Sequence, residues 1–192
     1  MTVQTQTSSQ PGFFDMAAKS HIQQAIFVAV GTLVLALASK ISVPMVPVPI
    51  TMQTFAVTMI GALYGWRLGT LTVLAWLGEA MIGLPVLAGA SSGLAPFVGP
   101  TAGYLVSFPI MAAMVGFAME KGFGKRNIVA CFSLHFAANV VGLALGWAWL
   151  AGLIGAEKAW IAGVAPFILG AVLKSALAAA VLKALFAKTE SK

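Results

Sequence analysis

Charge is what this sequence lacks most. Only 8% of its 192 residues are charged, whereas 60% are hydrophobic. An ordinary soluble domain carries about a quarter charged residues, so a water-soluble fold could not cover so much apolar surface. A bilayer can, because each helical crossing needs about 20 apolar residues. The composition therefore predicts an all-α integral membrane protein with room for about six crossings.

Catalytic and metal-binding signatures are scarce as well. The chain has one cysteine and two histidines, and its sequence contains no P-loop, HExxH or GxSxG motif. Cys131 cannot form an intrachain disulfide, and no cluster of His, Cys and carboxylates has metal-ligand spacing. We therefore expect no cofactor and no metal, and ATP hydrolysis has to come from another protein. The net charge of +6 suits anionic lipid better than nucleic acid, because Lys and Arg gather in the cytoplasmic loops of membrane proteins.

What the sequence does contain is a series of apolar segments that are separated by short polar or irregular stretches. We expect them to form a six-helix membrane domain over residues 21–188. The Thr/Gln/Ser-rich residues 1–20 are predicted to be a disordered cytoplasmic tail, and residues 189–192 a cytoplasmic C-terminal end. The six segments cover about residues 22–39, 53–65, 68–82, 101–119, 128–151 and 160–186.

Lys and Arg divide unevenly between the two sides of this predicted bundle. One side holds Lys40 and Lys158, whereas Lys174 falls inside the sixth segment. The positive-inside rule then places both termini in the cytoplasm and predicts a multi-pass protein of the cytoplasmic membrane. The eight basic residues on the cytoplasmic side are Lys19, Arg67, Lys121, Lys125, Arg126, Lys183, Lys188 and Lys192.

Two long loops are apolar yet cannot be helical. Residues 43–50 contain Pro44, Pro47 and Pro49, and residues 83–100 are rich in glycine and proline. Irregular apolar backbone at membrane depth has to be covered by protein or line a cavity. Both loops lie on the outer side in the predicted orientation, so we expect a lidded pocket that opens outward.

Two charged side chains fall within the predicted spans away from their cytoplasmic ends, where a charge costs about 2.5–3.5 kcal/mol by insertion scales. Lys174 either extends toward an interface or is a buried cation for an anionic ligand. Glu79, near the outer end of the third segment, is either a structural partner of Lys174 or a ligand contact. Since both lie in the outer half, we predict that they meet.

Uncharged polar residues in the spans also have two possible roles. Gln53 opens the second segment, where its amide can bond the preceding loop or a ligand. Tyr104 begins the fourth segment, as a membrane-interface aromatic or as a ligand contact. His135 and Asn139 share one helix face, where they either join helices or bind a ligand.

Small residues recur at four-residue intervals in several spans. Ala25 and Ala29 form one such pair, and Gly142 and Gly146 form another. Such spacing lets helices approach closely, which serves either internal packing or docking of a partner subunit.

Four stretches in order resemble the BioY family, the biotin-binding S components of energy-coupling factor (ECF) uptake transporters. VPVPITMQT at residues 46–54 is similar to the family signature PVPITxQT. GWRLG at 65–69 also matches, GLPVLAG at 83–89 is similar to GLPVFAG, and GPTAGYL at 99–105 is similar to GPTGGYL. The resemblance spans roughly residues 22–187.

This resemblance implies a function and a set of partners. It implies a six-helix S-component fold with a biotin pocket under the first and third loops, and high-affinity binding without catalysis. It also implies a transmembrane coupling subunit and ABC-type ATPases as energising partners, although some family members act without them. Ala25 and Ala29 are similar to the AxxxA pattern that S components use against the coupling subunit.

The last helix departs from the family pattern. The family commonly reads PGDxxK, whereas this chain has LGAVLK at residues 169–174, with Ala171 at the acidic position. We therefore predict that Glu79 compensates as a counter-ion of Lys174 or as an acceptor for biotin N–H groups. The expected ligand contacts are Lys174, Glu79, Gln53, Tyr104, Pro47 and Asn139.

Three other functions remain open from the sequence, one of which is a structural or assembly subunit with no ligand. The chain can be an S component or transporter for a different small vitamin. It can also be a membrane enzyme acting on lipid, which would have to use Glu79 and His135.

Overall fold

The computed structural model describes residues 19–125 and 127–190. The predicted N-terminal tail therefore lies outside the described residues except for its last two, and so do the last two residues of the chain. The described part forms these helices and strands in order: α1 (His21–Lys40), β1 (Ser42–Val43), β2 (Ile50–Thr51), α2 (Gln53–Met81), α3 (Ala95–Val98), α4 (Ala102–Glu120), α5 (Ile128–Ile154), α6 (Ala156–Gly163) and α7 (Ala165–Glu190). A 3-10 turn, Ala88–Ala90, lies in the loop between α2 and α3.

Five of these helices, α1, α2, α4, α5 and α7, are long and apolar enough to cross a membrane. Their outward faces carry large apolar side chains that are strongly exposed, such as Ile22, Leu37 and Leu169. Apolar surface on this scale would be a liability in water, but it is the normal surface of a protein in lipid. The predicted all-α membrane architecture is confirmed.

Helix α2 consists of two arms rather than one straight helix, because it folds back at Gly65. The φ angle of Gly65 is +78°, which a helix cannot contain. A Cβ placed on Gly69 would lie 3.0 Å from the Cα of Gly61, whereas eight residues of straight helix span about 12 Å. The arms 53–64 and 66–81 therefore run back along each other, as the predicted second and third segments require.

The α2–α4 contact forms the centre of the bundle, and glycine allows the two backbones to touch there. A Cβ on Gly116 would lie 2.5 Å from the backbone nitrogen of Trp66, and Gly61 packs directly on the backbone of Ala112. The Trp66 N–H, at the start of the second arm of α2, donates to the Glu120 carboxylate over 3.1 Å. The reversal is thus fixed both by close packing and by a hydrogen bond.

The predicted start of the sixth segment is wrong. Trp160 belongs to the separate short helix α6, and the chain leaves helical geometry at Val164 (φ −123°, ψ −58°) before α7 begins. Pro166 falls in the first turn of α7. Proline is tolerated there because a backbone N–H in the first turn has no acceptor within the helix. Lys174 therefore lies about 14 Å along α7, at 1.5 Å per residue.

We define the outer end of the bundle as the end where α1 and α5 finish and α4 and α7 begin. There β1 and β2 form an antiparallel hairpin that pairs Ser42 with Thr51. Its base is closed by the Met52 N–H, which donates to the Ile41 carbonyl over 3.0 Å. The hairpin, the 3-10 turn and α6 all gather at this end.

Candidate ligand-binding site

A cavity of about 230 Å³ lies in the outer end of the bundle. Its walls come from the hairpin loop, the segment around the 3-10 turn, the start of α2, and parts of α4, α5 and α7. A concave, mostly apolar site with a few placed polar groups is the usual form of a small-molecule site. Five of the six predicted ligand contacts line it: Pro47, Gln53, Tyr104, Asn139 and Lys174.

Among the residues that the structure describes, Lys174 carries the one charged group that lines the cavity. Its ammonium donates to the Thr51 carbonyl and to the Thr54 hydroxyl, each over 2.9 Å. Both acceptors lie where β2 leads into α2, so the contact joins α7 to the start of α2. An ammonium has three donors, and two are used here. One N–H therefore remains for an oxygen of a ligand.

Gln53 is held by neighbours on both sides of its amide. Its Nε2 donates to the Ser39 hydroxyl over 3.0 Å, and its Oε1 accepts from the Thr51 hydroxyl over 2.9 Å. The Gln53 backbone N–H donates to the same Thr51 hydroxyl. Of the two roles open for Gln53, these contacts favour fixing the end of the hairpin against α1.

Asn139 is oriented so that its carbonyl oxygen stays available. Its Nδ2 donates to the His135 carbonyl over 2.9 Å and to the Ser175 hydroxyl over 3.4 Å. The Ser175 hydroxyl gives its own proton to the Ala171 carbonyl, so it can only accept from Asn139. With the amide nitrogen so engaged, Oδ1 is the atom of Asn139 that can accept a hydrogen bond in the cavity.

His135 lies one turn below Asn139 and does not line the cavity. Its side chain is fully buried, and within residues 19–125 and 127–190 both ring nitrogens lack a hydrogen-bond partner. The shared helix face predicted for the pair is present, but only Asn139 reaches the site.

Tyr104 forms a fixed apolar wall. Its hydroxyl donates to the Gly163 carbonyl over 2.7 Å, which joins α4 to the end of α6. Its ring stacks on Phe167 with 6.2 Å between centroids. A Cβ on Gly146 would overlap the Tyr104 ring. Gly146 therefore makes room for this aromatic wall.

The structure does not bring Glu79 to Lys174, so the predicted pairing is not found. Glu79 is half-buried on the second arm of α2 and is not among the residues that line the cavity. The core-facing positions of that arm are taken by Val73, Trp76 and Ala80. Because successive helical residues are about 100° apart, Glu79 falls on the flank of the arm.

Sequence reasoning missed several lining residues. Thr51 and Thr54 receive the Lys174 hydrogen bonds and lie inside the VPVPITMQT stretch, so the motif itself was their signal. Leu87 lies in GLPVLAG in the same way. Phe108 and Phe167 also line the cavity. They are two of 12 phenylalanines in an apolar chain, and nothing in the sequence distinguishes them.

Comparison with known proteins places the chain in a wider group. The BioY family profile matches residues 9–191. The chain is 36% identical over 174 residues to a probable biotin transporter BioY from Pyrococcus horikoshii, covering 91% of this chain and 100% of that protein. It is 37% identical over 172 residues to the biotin transporter BioY from Rhizobium etli, covering 85% and 91% of the two chains.

A solved structure shares the fold. The crystal structure of the S-component for biotin from an ECF-type ABC transporter superposes with a TM-score of 0.78 at 27% identity. The superposition covers 88% of this chain and 94% of that one. The helix arrangement is therefore that of the S-component fold.

Proposed function

Because the chain belongs to the BioY family, we propose that it is the S component of an ECF transporter, which binds biotin with high affinity for uptake across the cytoplasmic membrane. The observation that carries this proposal is the full-length similarity to biotin transporters, with 100% of the Pyrococcus horikoshii protein covered. Biotin would bind in the cavity at the outer end of the bundle. The chain is a multi-pass membrane transporter, not an enzyme.

The polar groups of the cavity suit the polar groups of biotin. Biotin has an uncharged ureido bicycle with two N–H donors, a ureido oxygen and one carboxylate. The remaining N–H of Lys174 supplies a donor for one of these oxygens, and Asn139 Oδ1 supplies an acceptor for a ureido N–H. Tyr104, Phe167 and Pro47 provide apolar surface for the rings and the aliphatic chain.

Ala171 alters this site relative to the family pattern. It lines the cavity one turn before Lys174 and offers no carboxylate. With Glu79 on the flank of α2, the acceptor role falls to Asn139 in this proposal. The geometry therefore favours a neutral amide, rather than a second carboxylate, as the acceptor for biotin N–H groups.

Energy for uptake would come from partners. The sequence has no P-loop, so a transmembrane coupling subunit and ABC-type ATPases are the proposed energising module. Ala25 and Ala29 are both exposed on one face of α1, as a close helix contact requires. We place the outer end of the bundle on the extracellular side, because the opposite side carries most of the Lys and Arg residues.

A competition assay on the purified full chain in detergent tests the proposed substrate. Bound radiolabelled biotin is challenged with unlabelled biotin and with a panel of other vitamins, including lipoate, thiamine and riboflavin. Only biotin should displace the label at stoichiometric concentrations. Failure to bind radiolabelled biotin, together with tight binding of another vitamin supplied with its own radiolabel, would establish the alternative S-component function.

A further inference from the structure

A short segment before the 3-10 turn is held by side chains from two helices. The Lys40 ammonium, on the last residue of α1, donates to the Pro85 carbonyl over 2.6 Å and to the Leu87 carbonyl over 3.4 Å. Between them, the Val86 carbonyl accepts from the Trp76 indole N–H over 3.2 Å. Three successive carbonyls are thus held, two from the side of α1 and one from the core side of α2.

The chain passes directly from this segment into the cavity wall. Leu87, Ala88 and Ser91 line the cavity, and the Leu87 side chain is buried. Residues 83–94 contain no charged side chain of their own. Apart from bonds within the loop, their backbone N–H groups return to the end of α2, as in the 2.7 Å bond from Gly93 to the Ala80 carbonyl. Lys40 is therefore the hydrogen-bonding contact from α1 to this wall.

The neighbouring residue of α1 holds the other loop. The Ser39 hydroxyl accepts from Gln53, whose amide in turn fixes Thr51 at the end of the hairpin. Ser39 is fully buried, whereas Lys40 is exposed at the end of α1. Consecutive residues in the last turn of α1 thus hold both loops that close the cavity, and the exposed contact is the one that can break without disturbing the core.

We propose that Lys40 is a positioning residue that latches residues 85–91 over the bound ligand and thereby sets the rate at which the ligand leaves. This inference rests on the proposed biotin-binding function. Lys40 makes no contact with the ligand in this account. It acts through the backbone of the loop, so its removal should speed dissociation and leave the association rate nearly unchanged.

The experiment measures both rates on the purified full chain in detergent. Dissociation is followed by chasing bound radiolabelled biotin with excess unlabelled biotin, and association by mixing at several biotin concentrations. Lys40→Met removes the donor and keeps most of the side-chain volume, whereas Lys40→Arg keeps a donor. The matched control is Lys158→Met, because Lys158 is also exposed at the outer end and is not latched to a cavity loop.

Lys40→Met should dissociate about tenfold faster than wild type, the effect expected of a partly exposed charged hydrogen bond. Lys40→Arg should stay close to wild type, and Lys158→Met should be unchanged. An unchanged dissociation rate in Lys40→Met would overturn the latch. So would a slower association at constant dissociation, since that result assigns Lys40 to electrostatic attraction of the biotin carboxylate. If Lys40→Arg dissociates as fast as Lys40→Met, a donor at this position does not slow dissociation, and the latch is again rejected.

These outcomes are separate from those that test the function. Wild-type protein that binds no biotin would reject the proposed function itself. Wild-type protein that binds biotin, beside a Lys40→Met variant with the wild-type dissociation rate, would reject the latch alone.

Discussion

Replacing Lys174 by methionine removes a charged group that lines the cavity and keeps an unbranched side chain of similar length. In the unliganded protein, the substitution removes two hydrogen bonds of 2.9 Å, to the Thr51 carbonyl and the Thr54 hydroxyl. The same change relieves the cost of holding a charge inside the membrane. We therefore expect the variant to fold and to elute from size-exclusion chromatography as the wild type does.

Biotin binding should suffer much more than folding. In the liganded protein, Lys174 donates its third hydrogen bond to an oxygen of biotin inside a site that excludes water. Losing one side of a buried, charged hydrogen bond costs about 2–4 kcal/mol, which is about 30- to 1,000-fold in Kd. Isothermal titration of biotin into the purified chain measures this change, with Lys158→Met as the control for loss of a positive charge.

A second ligand identifies the oxygen that Lys174 contacts. Biotinol carries a hydroxymethyl group in place of the carboxylate, so the Lys174→Met variant should lose any preference for biotin over biotinol if the carboxylate is the partner. If the ureido oxygen is the partner, both ligands should weaken equally. A folded Lys174→Met protein whose Kd for biotin stays within about threefold of wild type would refute the assignment of Lys174 to the site.

Three further predictions concern the walls of the cavity and the turn below it. Asn139→Leu keeps the volume but removes Oδ1, so biotin affinity should fall about 10- to 100-fold in the same titration. Gly146→Ala should displace the Tyr104 ring and weaken binding, whereas Gly152→Ala on the same helix meets nothing within 4 Å and should bind normally. Equal affinities of those two variants would contradict the role of the aromatic wall. Gly65→Ala places a side chain at φ +78° and ψ 173°, a region populated almost only by glycine, and against the Glu120 carboxylate. It should lower the melting temperature in detergent, by a destabilisation of about 1–3 kcal/mol.

The sequence predicted the crossings well, because the bilayer requires an apolar run of residues for each crossing. It even separated the second and third segments around Gly65, where the structure finds a reversal within α2. It misplaced the start of the sixth segment, since α6 and α7 are both apolar and hydropathy does not register one non-helical residue at Val164. Pro166 was the available signal, as proline is favoured in a first helical turn.

The site was less predictable because depth along a helix does not specify which way a side chain faces. Glu79 and Lys174 fall in the same half of the membrane, yet Glu79 lies on the flank of its arm and outside the cavity lining. The partners that Lys174 does have, Thr51 and Thr54, come from a hairpin end whose fold depends on contacts distant in sequence. Asn139 could be placed at the site, but the direction of its amide follows from Ser175 on another helix.

The most direct test of this account is an experimental structure of the full chain with biotin bound at saturating concentration. One biotin should lie in the outer cavity, with an oxygen at hydrogen-bonding distance, about 2.7–3.2 Å, from the Lys174 ammonium. A ureido N–H should lie on Asn139 Oδ1, and residues 85–91 should be closed over the ligand. Biotin found elsewhere in the bundle, or in the cavity with Lys174 still bound only to Thr51 and Thr54, would contradict the proposed binding site.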